Sequence, residues 1–145
     1  MIALIQRVSA AKVEVDGKVV GEIGRGISVF VGIQQDDTNI NVERLVTRTL
    51  GYRLFPDERG RMNRSVVDIH GDILIVSQFT LAADTQNGLR ASYTATAPTL
   101  IAQPLYDSFV MRARAAHNRV ATGTFAADMQ VSLCNDGPVS FILRS

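Results

Sequence analysis

Ile73-Leu74-Ile75-Val76-Ser77-Gln78-Phe79-Thr80-Leu81-Ala82-Ala83-Asp84 is the stretch on which the fold turns. Its apolar start, Ile73 to Val76, lacks the alternation of a strand with one wet face and reads as a strand buried on both sides. The run then changes to Ser-Gln-Phe-Thr, which brings hydroxyl and amide groups to the end of a buried strand. In open α/β sheets, ligands are held at such ends. A strand that simply ends in a polar turn gives the same pattern, so these residues gain weight only beside a second feature.

Upstream, Ile27-Ser28-Val29-Phe30-Val31-Gly32-Ile33 is mostly apolar and β-branched, the pattern of another central strand. Ile2 to Val8 reads as a first strand. Lys12 to Val15 and Lys18 to Val20 flank Asp16-Gly17, a strong hairpin signal because both turn positions need positive φ. Gly24-Arg25-Gly26 is another turn. Asp36-Asp37-Thr38-Asn39 supplies capping side chains, and Val42, Leu45, Val46 and Thr49 follow at helical spacing, predicting a helix over 39–50 stopped by Gly51. Tyr52 to Phe55 reads as a short edge strand closed by Pro56. Residues 57–72 read as a loop or peripheral hairpin.

Downstream, Asp84 to Thr96 is irregular. Pro98 opens a second helix whose apolar face is Ile101, Leu105, Phe109, Ala113 and Ala116; Pro104 requires that it start near that residue or kink there. Gly123 ends the helical region. Val131 to Asn135, a turn at Gly137-Pro138 and Val139 to Leu143 close the chain as two strands. The expected fold is one mixed α/β domain over 1–145, with two main helices packed on one side of mixed sheet structure and a smaller second β layer, a three-layer α/β/β arrangement.

The 145 residues carry a formal net charge of +1 and 46% apolar side chains, enough for a real core and without the basic stripe of a protein that grips a long nucleic-acid backbone. Arg48, Arg53, Arg59, Arg61 and Arg64 form a modest cluster interrupted by Asp57 and Glu58, which reads as a solvated surface. A lone cysteine, Cys134, suits a reducing compartment and reads as a packed, inert thiol. The N-terminal apolar run is too short for a signal peptide, and no run approaches membrane-spanning length, so a soluble, cytoplasmic protein is expected, with no membrane partner.

Most standard catalytic machinery is missing from the sequence. The two histidines, His70 and His117, lie in no metal-ligand spacing, one cysteine builds no thiolate site, and there is no phosphate-binding glycine loop or nucleophile elbow. No metal and no cofactor are expected. What remains is hydroxyls and backbone. Ser77 and Thr80 sit where the buried strand ends; Thr80 is a weak nucleophile without a base, and backbone N–H groups in that turn are candidates for an oxyanion hole. Such a site suffices for an already labile ester. Gly137-Pro138 is the second feature: the bond before proline is the one with an appreciable cis population, and glycine lets a ligand approach the backbone closely. An ordinary turn remains the alternative there.

Ser77-Gln78-Phe79-Thr80-Leu81-Ala82 and Asn135-Asp136-Gly137-Pro138-Val139-Ser140 together carry a resemblance. The chain resembles the bacterial D-aminoacyl-tRNA deacylases over essentially its whole length. The likeness includes Met1 to Val8, Gly51-Tyr52-Arg53, Met62-Asn63, Leu105-Tyr106-Asp107 and the tail from Gly123 to Ser140. Pro104 and Ala91 depart from the family pattern, and Ser140 stands where threonine is common. The resemblance implies a homodimer that hydrolyses the ester joining a D-amino acid, or glycine, to the terminal adenosine of tRNA. It implies a site built from Ser77, Gln78, Phe79, Thr80 and Leu81 of one subunit and Gly137-Pro138 of the other. The Gly-Pro bond is expected to be cis, with both carbonyls pointing into the pocket to hold the α-ammonium and crowd an L side chain. Arg7 is expected to steady that loop. Phe125 and Met129 are candidates for the adenosine pocket, plain core packing being their alternative. A noncatalytic binder of nucleotides or free D-amino acids, and a general esterase, are the competing readings.

Overall fold

In the computed structural model, which describes residues 1–145, the first strand runs well past its apolar start. β1 spans Ile2–Val15 and turns at Asp16-Gly17, both with positive φ, into β2, Lys18–Ile23. β3, Gly26–Gly32, returns antiparallel along the first half of β1, while β2 lies along the second half. α1 is Asn39–Gly51, one residue longer than its spacing predicts, so Gly51 ends it from inside. Thr38 is its N-cap, and Asn41 Oδ1 accepts a 2.9 Å bond from the Thr38 N–H. The short edge strand expected over 52–55 is instead β4, Phe55–Pro56, which pairs with β5, Met62–Arg64, as a peripheral hairpin.

β6, Asp72–Ser77, runs parallel to β3 and passes into a single 3₁₀ turn, Phe79–Ala82. α2 is Thr99–Ala116. β7, Val120–Thr122, lies parallel along the free edge of β6; three residues between a helix and a glycine carry too little pattern to predict it. β8, Gln130–Arg144, pairs antiparallel with the whole of β1.

Alternation along β6 divides the interior. Ile73 and Ile75 join Ile5, Ile27, Val29, Leu45 and Phe109 beneath the two helices. Leu74 and Val76 turn the other way, onto Val8, Val13 and Ile23. All four β6 residues are at most 1% exposed, as a strand covered on both faces must be. The second core exists because the sheet curls back on itself. At Gly21 of β2, a Cβ would stand 2.4 Å from the Thr122 carbonyl oxygen of β7. Glycine there lets two strands that share no ladder touch backbone to backbone. The sheet is thereby nearly barrel-like, with both helices outside one wall, and the α/β/β layering follows.

Two expectations about burial are corrected. α2 begins at Thr99, opened by Pro98 as the sequence predicts, and Pro104 stands inside the helix, where it gives no N–H to the Leu100 carbonyl. Its buried face is Ala102, Leu105, Tyr106, Phe109, Val110 and Ala113, while Ile101 is 44% exposed and Ala116 also faces solvent. Cys134 is exposed, because alternation along β8 gives the inward positions to the half-buried Val131 and Leu133 and turns Cys134, with its partner Ala10, to the outer face. No helix is long and apolar enough to cross a membrane.

Candidate functional site

The change from apolar to polar side chains at Ser77 falls where β6 leaves the sheet. The Gln78 N–H still donates to the Val31 carbonyl at 2.8 Å, continuing the parallel ladder one residue further. The chain then closes on itself, with Leu81 and Ala83 N–H groups donating to the Gln78 and Thr80 carbonyls. Phe79 and Thr80 are the first residues of that turn, so their N–H groups have no partner within it. Thr80 is exposed, and its hydroxyl accepts a 2.6 Å bond from Gln78 Nε2. Leu81 is half-buried behind the turn, against Gly32, where a Cβ would come within 2.9 Å of the Leu81 Cβ.

Beside this turn lies a cavity of about 450 Å³, of a size that takes a nucleoside with its substituent. Val31 and Ile33, Val76 to Phe79, and the stretch Phe125 to Val131 line it, the last through Phe125, Ala126, Ala127, Met129 and Val131. Thr96, Ala97, Thr99 and Ala102, from the approach to α2 and its first turn, complete it. The Thr96 hydroxyl is buried without a hydrogen-bond partner. Phe79 and Tyr93 stack obliquely with ring centroids 5.5 Å apart and remain 58% and 51% exposed at the rim.

The Asn135–Ser140 stretch is built differently, and not as the turn between two strands that its glycine and proline suggest. Asn135 pairs with Val8 and Ser140 with Gln6, so the residues 136–139 stand opposite Arg7 alone as a bulge within one continuous strand. Asn135 clamps the neck: its Oδ1 accepts from the Val139 N–H at 2.7 Å, and its Nδ2 donates to Ser140 Oγ at 3.1 Å. Arg7 holds the middle, donating from Nε to the Asp136 carbonyl at 2.7 Å and from Nη1 to the Leu54 carbonyl at 2.8 Å. Gly137 has φ +153°, and a Cβ on it would meet Val139 Cγ2 at 2.6 Å and Val139 N at 2.8 Å. The Gly137-Pro138 peptide bond is cis, and both residues are exposed.

The two features lie apart within one chain. Arg7 is opposite Ile27 at the start of β3 and Ser77 opposite Val31 near its end. The bulge lies one strand further out, on β8, so it is separated from Ser77 by roughly 13 Å along the strands and about 14 Å across three strand spacings. Ser77, Gln78, Phe79, Phe125 and Met129 therefore share the cavity, Thr80 and Leu81 sit on the turn beside it, and Arg7, Gly137 and Pro138 form a separate group. Thr96, Ala97, Thr99 and Ala102 carry no local signal beyond Pro98, which marks a helix start and so a place where chain passes the sheet end.

The arginines of the β4–β5 hairpin are mostly engaged. Arg61 pairs with Asp57 at 3.2 Å, and Arg64 with Glu58. Backbone N–H groups of Arg61 and Arg59, with the Arg61 side chain, hold the Asp57 carboxyl below the usual carboxylate range.

A family model described as D-Tyr-tRNA(Tyr) deacylase matches residues 4–144. The D-aminoacyl-tRNA deacylase of Cellvibrio japonicus (strain Ueda107) is 56% identical over 144 residues, 99% of each chain. That of Cronobacter sakazakii (strain ATCC BAA-894) is likewise 56% identical over 144 residues and 99% of each chain. Among solved structures, one described as c-Myc DNA Unwinding Element Binding Protein superposes with a TM-score of 0.96 at 40% identity, covering 100% of this chain and 99% of the other. A probable eukaryotic D-amino acid tRNA deacylase shares the fold, with a TM-score of 0.86 at 18% identity over 98% of this chain and 97% of the other. With more than half of its residues matched from end to end, the chain belongs to the D-Tyr-tRNA(Tyr) deacylase family, hydrolases of the ester bond in D-aminoacyl-tRNA.

Proposed function

We propose that this chain works as a homodimer on the aminoacyl end of tRNA, and that it selects D-amino acids and glycine by main-chain exclusion of L side chains. The observation that carries this reading is the placement of the Gly137-Pro138 bulge. It is exposed and held by Arg7 and Asn135, yet on β8, opposite Arg7, it stands too far from the end of β6 to serve the cavity of its own chain. A second copy supplies it.

In this reading the terminal adenosine lies in the apolar cavity against Phe125 and Met129, and the ester carbonyl points at the Phe79 and Thr80 N–H groups. The partner's Gly137 and Pro138 carbonyls accept from the substrate's α-ammonium and occupy the space an L side chain needs. Selectivity by exclusion leaves the D side chain facing open space, which accounts for tolerance of many D-amino acids. Glycine has no side chain to exclude, so glycyl-tRNA, including tRNA for alanine charged with glycine, is also a substrate. Water adds to the carbonyl, the developing oxyanion is stabilised by the two N–H groups, and the bond to the ribose oxygen breaks as that oxygen takes a proton. The neighbouring ribose hydroxyl assists the water, which replaces the base the site lacks. Thr80, bonded to Gln78, positions the turn and forms no covalent intermediate.

Incubation with D-Tyr-tRNA, L-Tyr-tRNA and a simple ester tests the reading. Cleavage of the first alone supports it. Cleavage of all three makes the protein a general esterase, and cleavage of none a binder.

A further inference from the structure

One wall of the cavity has no regular structure to hold it. Gly123 to Met129 belongs to neither β7 nor β8, yet Phe125, Ala126, Ala127 and Met129 all face the cavity. Its backbone turns sharply at Ala126, whose φ of +60° is a left-handed conformation that a side chain disfavours. Such a turn persists only where its surroundings hold it.

The surroundings converge on one atom. The Ile75 carbonyl of β6 accepts the Gly123 N–H at 2.9 Å and the Tyr106 hydroxyl at 3.1 Å. Tyr106 stands on α2, only 3% exposed, and its ring packs obliquely on Phe125 with centroids 5.4 Å apart. One side chain thus ties the helix, the strand leading to the catalytic turn, and the aromatic face of the wall. Met129 seats the other end: a Cβ at Gly123 would come within 2.6 Å of its Sδ.

We infer that Tyr106 is a positioning residue that sets the Phe125–Met129 wall, and thereby how tightly the terminal nucleoside is held. This rests on the cavity being the nucleoside site. Tyr106 touches neither the ester nor the turn that activates it, so its effect falls on binding and not on the chemical step. Burial, with the Asp107 carboxylate nearby, pushes its phenol well above the ordinary value, so the hydroxyl stays a donor at every working pH.

The test uses the full-length protein with D-tyrosyl-tRNA, together with direct titration of an amide analogue of D-tyrosyl-adenosine that cannot be hydrolysed. Tyr106→Phe keeps the ring and loses the hydroxyl, and raises KM and the analogue's Kd about 3-fold. Tyr106→Leu also loses the ring and raises both about 10-fold. In each variant kcat stays within about twofold of wild type, the split expected when only binding is touched. Ala126→Gly suits the left-handed turn and leaves Tyr106 in place, so KM and Kd stay within about twofold of wild type. Unchanged Kd in a folded Tyr106→Leu protein, or a fall in kcat at constant Kd, overturns the inference. If Tyr106→Leu does not fold, wild-type Kd in Tyr106→Phe overturns it. A wild-type protein that neither binds the analogue nor cleaves the RNA ester strikes down the reading of the cavity instead.

Discussion

The cavity at the end of β6 and the bulge opposite Arg7 are built by opposite means. The cavity is mostly apolar, lined by four separate stretches of chain, and its polar side chains are three hydroxyls and one amide. The bulge is a short exposed excursion in one strand, fixed by an arginine that bonds its Asp136 carbonyl and an asparagine that bonds its Val139 N–H and the Ser140 hydroxyl. In the proposed function the first encloses the adenosine and the second supplies the main-chain oxygens that read handedness. Neither then suffices alone, and a two-fold axis between two copies would bring the same pair of features together twice.

The largest effect is expected at Gly137. Gly137→Val forces a Cβ into Val139 and moves the bulge by an ångström or more, so deacylation of D-Tyr-tRNA falls about 100-fold while thermal unfolding stays near wild type. A variant that keeps its activity breaks the division between the two ends. Arg7→Ala removes two donors from the bulge's support; it should lower kcat/KM about 10-fold and stability by about 1–2 kcal/mol, checked by kinetics and urea unfolding on the same samples. Salt sharpens the comparison differently. With a net charge of +1 and both Arg61 and Arg64 paired, the proposed function confines the grip on RNA to its end. Binding should therefore weaken less than about 10-fold between 50 and 200 mM salt, and a steep slope in filter binding would place much of the contact elsewhere. Thr80→Ala should matter least, keeping activity within about threefold; a loss rivalling that of Gly137→Val in single-turnover kinetics would make Thr80 the nucleophile.

Much of this was written locally in the chain. Ile73 to Val76 announces a strand covered on both faces, Asp16-Gly17 announces its hairpin, and the α1 stripe announces its helix within one residue. What escaped the sequence depends on partners that local pattern does not name. Gly137-Pro138 reads as a turn because both residues favour turns. Only the pairing of Asn135 with Val8 and Ser140 with Gln6 makes the stretch a bulge in one strand. Cys134 reads as buried because its neighbours are apolar, yet the period of two that turns Val131 and Leu133 inward turns Cys134 outward. The cavity wall at Thr96 to Ala102 is set by where α2 crosses the sheet end. The pairing of the Ser77–Leu81 and Gly137-Pro138 stretches came from resemblance, since nothing in either spacing points to the other.

The sharing of a site between copies is most directly tested by complementation. A Gly137→Val chain has a sound cavity and a spoiled bulge; a Thr99→Trp chain has a sound bulge and an indole filling the cavity mouth. Each alone should be nearly inactive on D-Tyr-tRNA. Co-refolded in equal amounts, they should recover about a quarter of wild-type activity, because half the dimers are mixed and each mixed dimer holds one complete site. Mixed dimers that form by native mass spectrometry yet show only the sum of the two parents' activities would contradict the account.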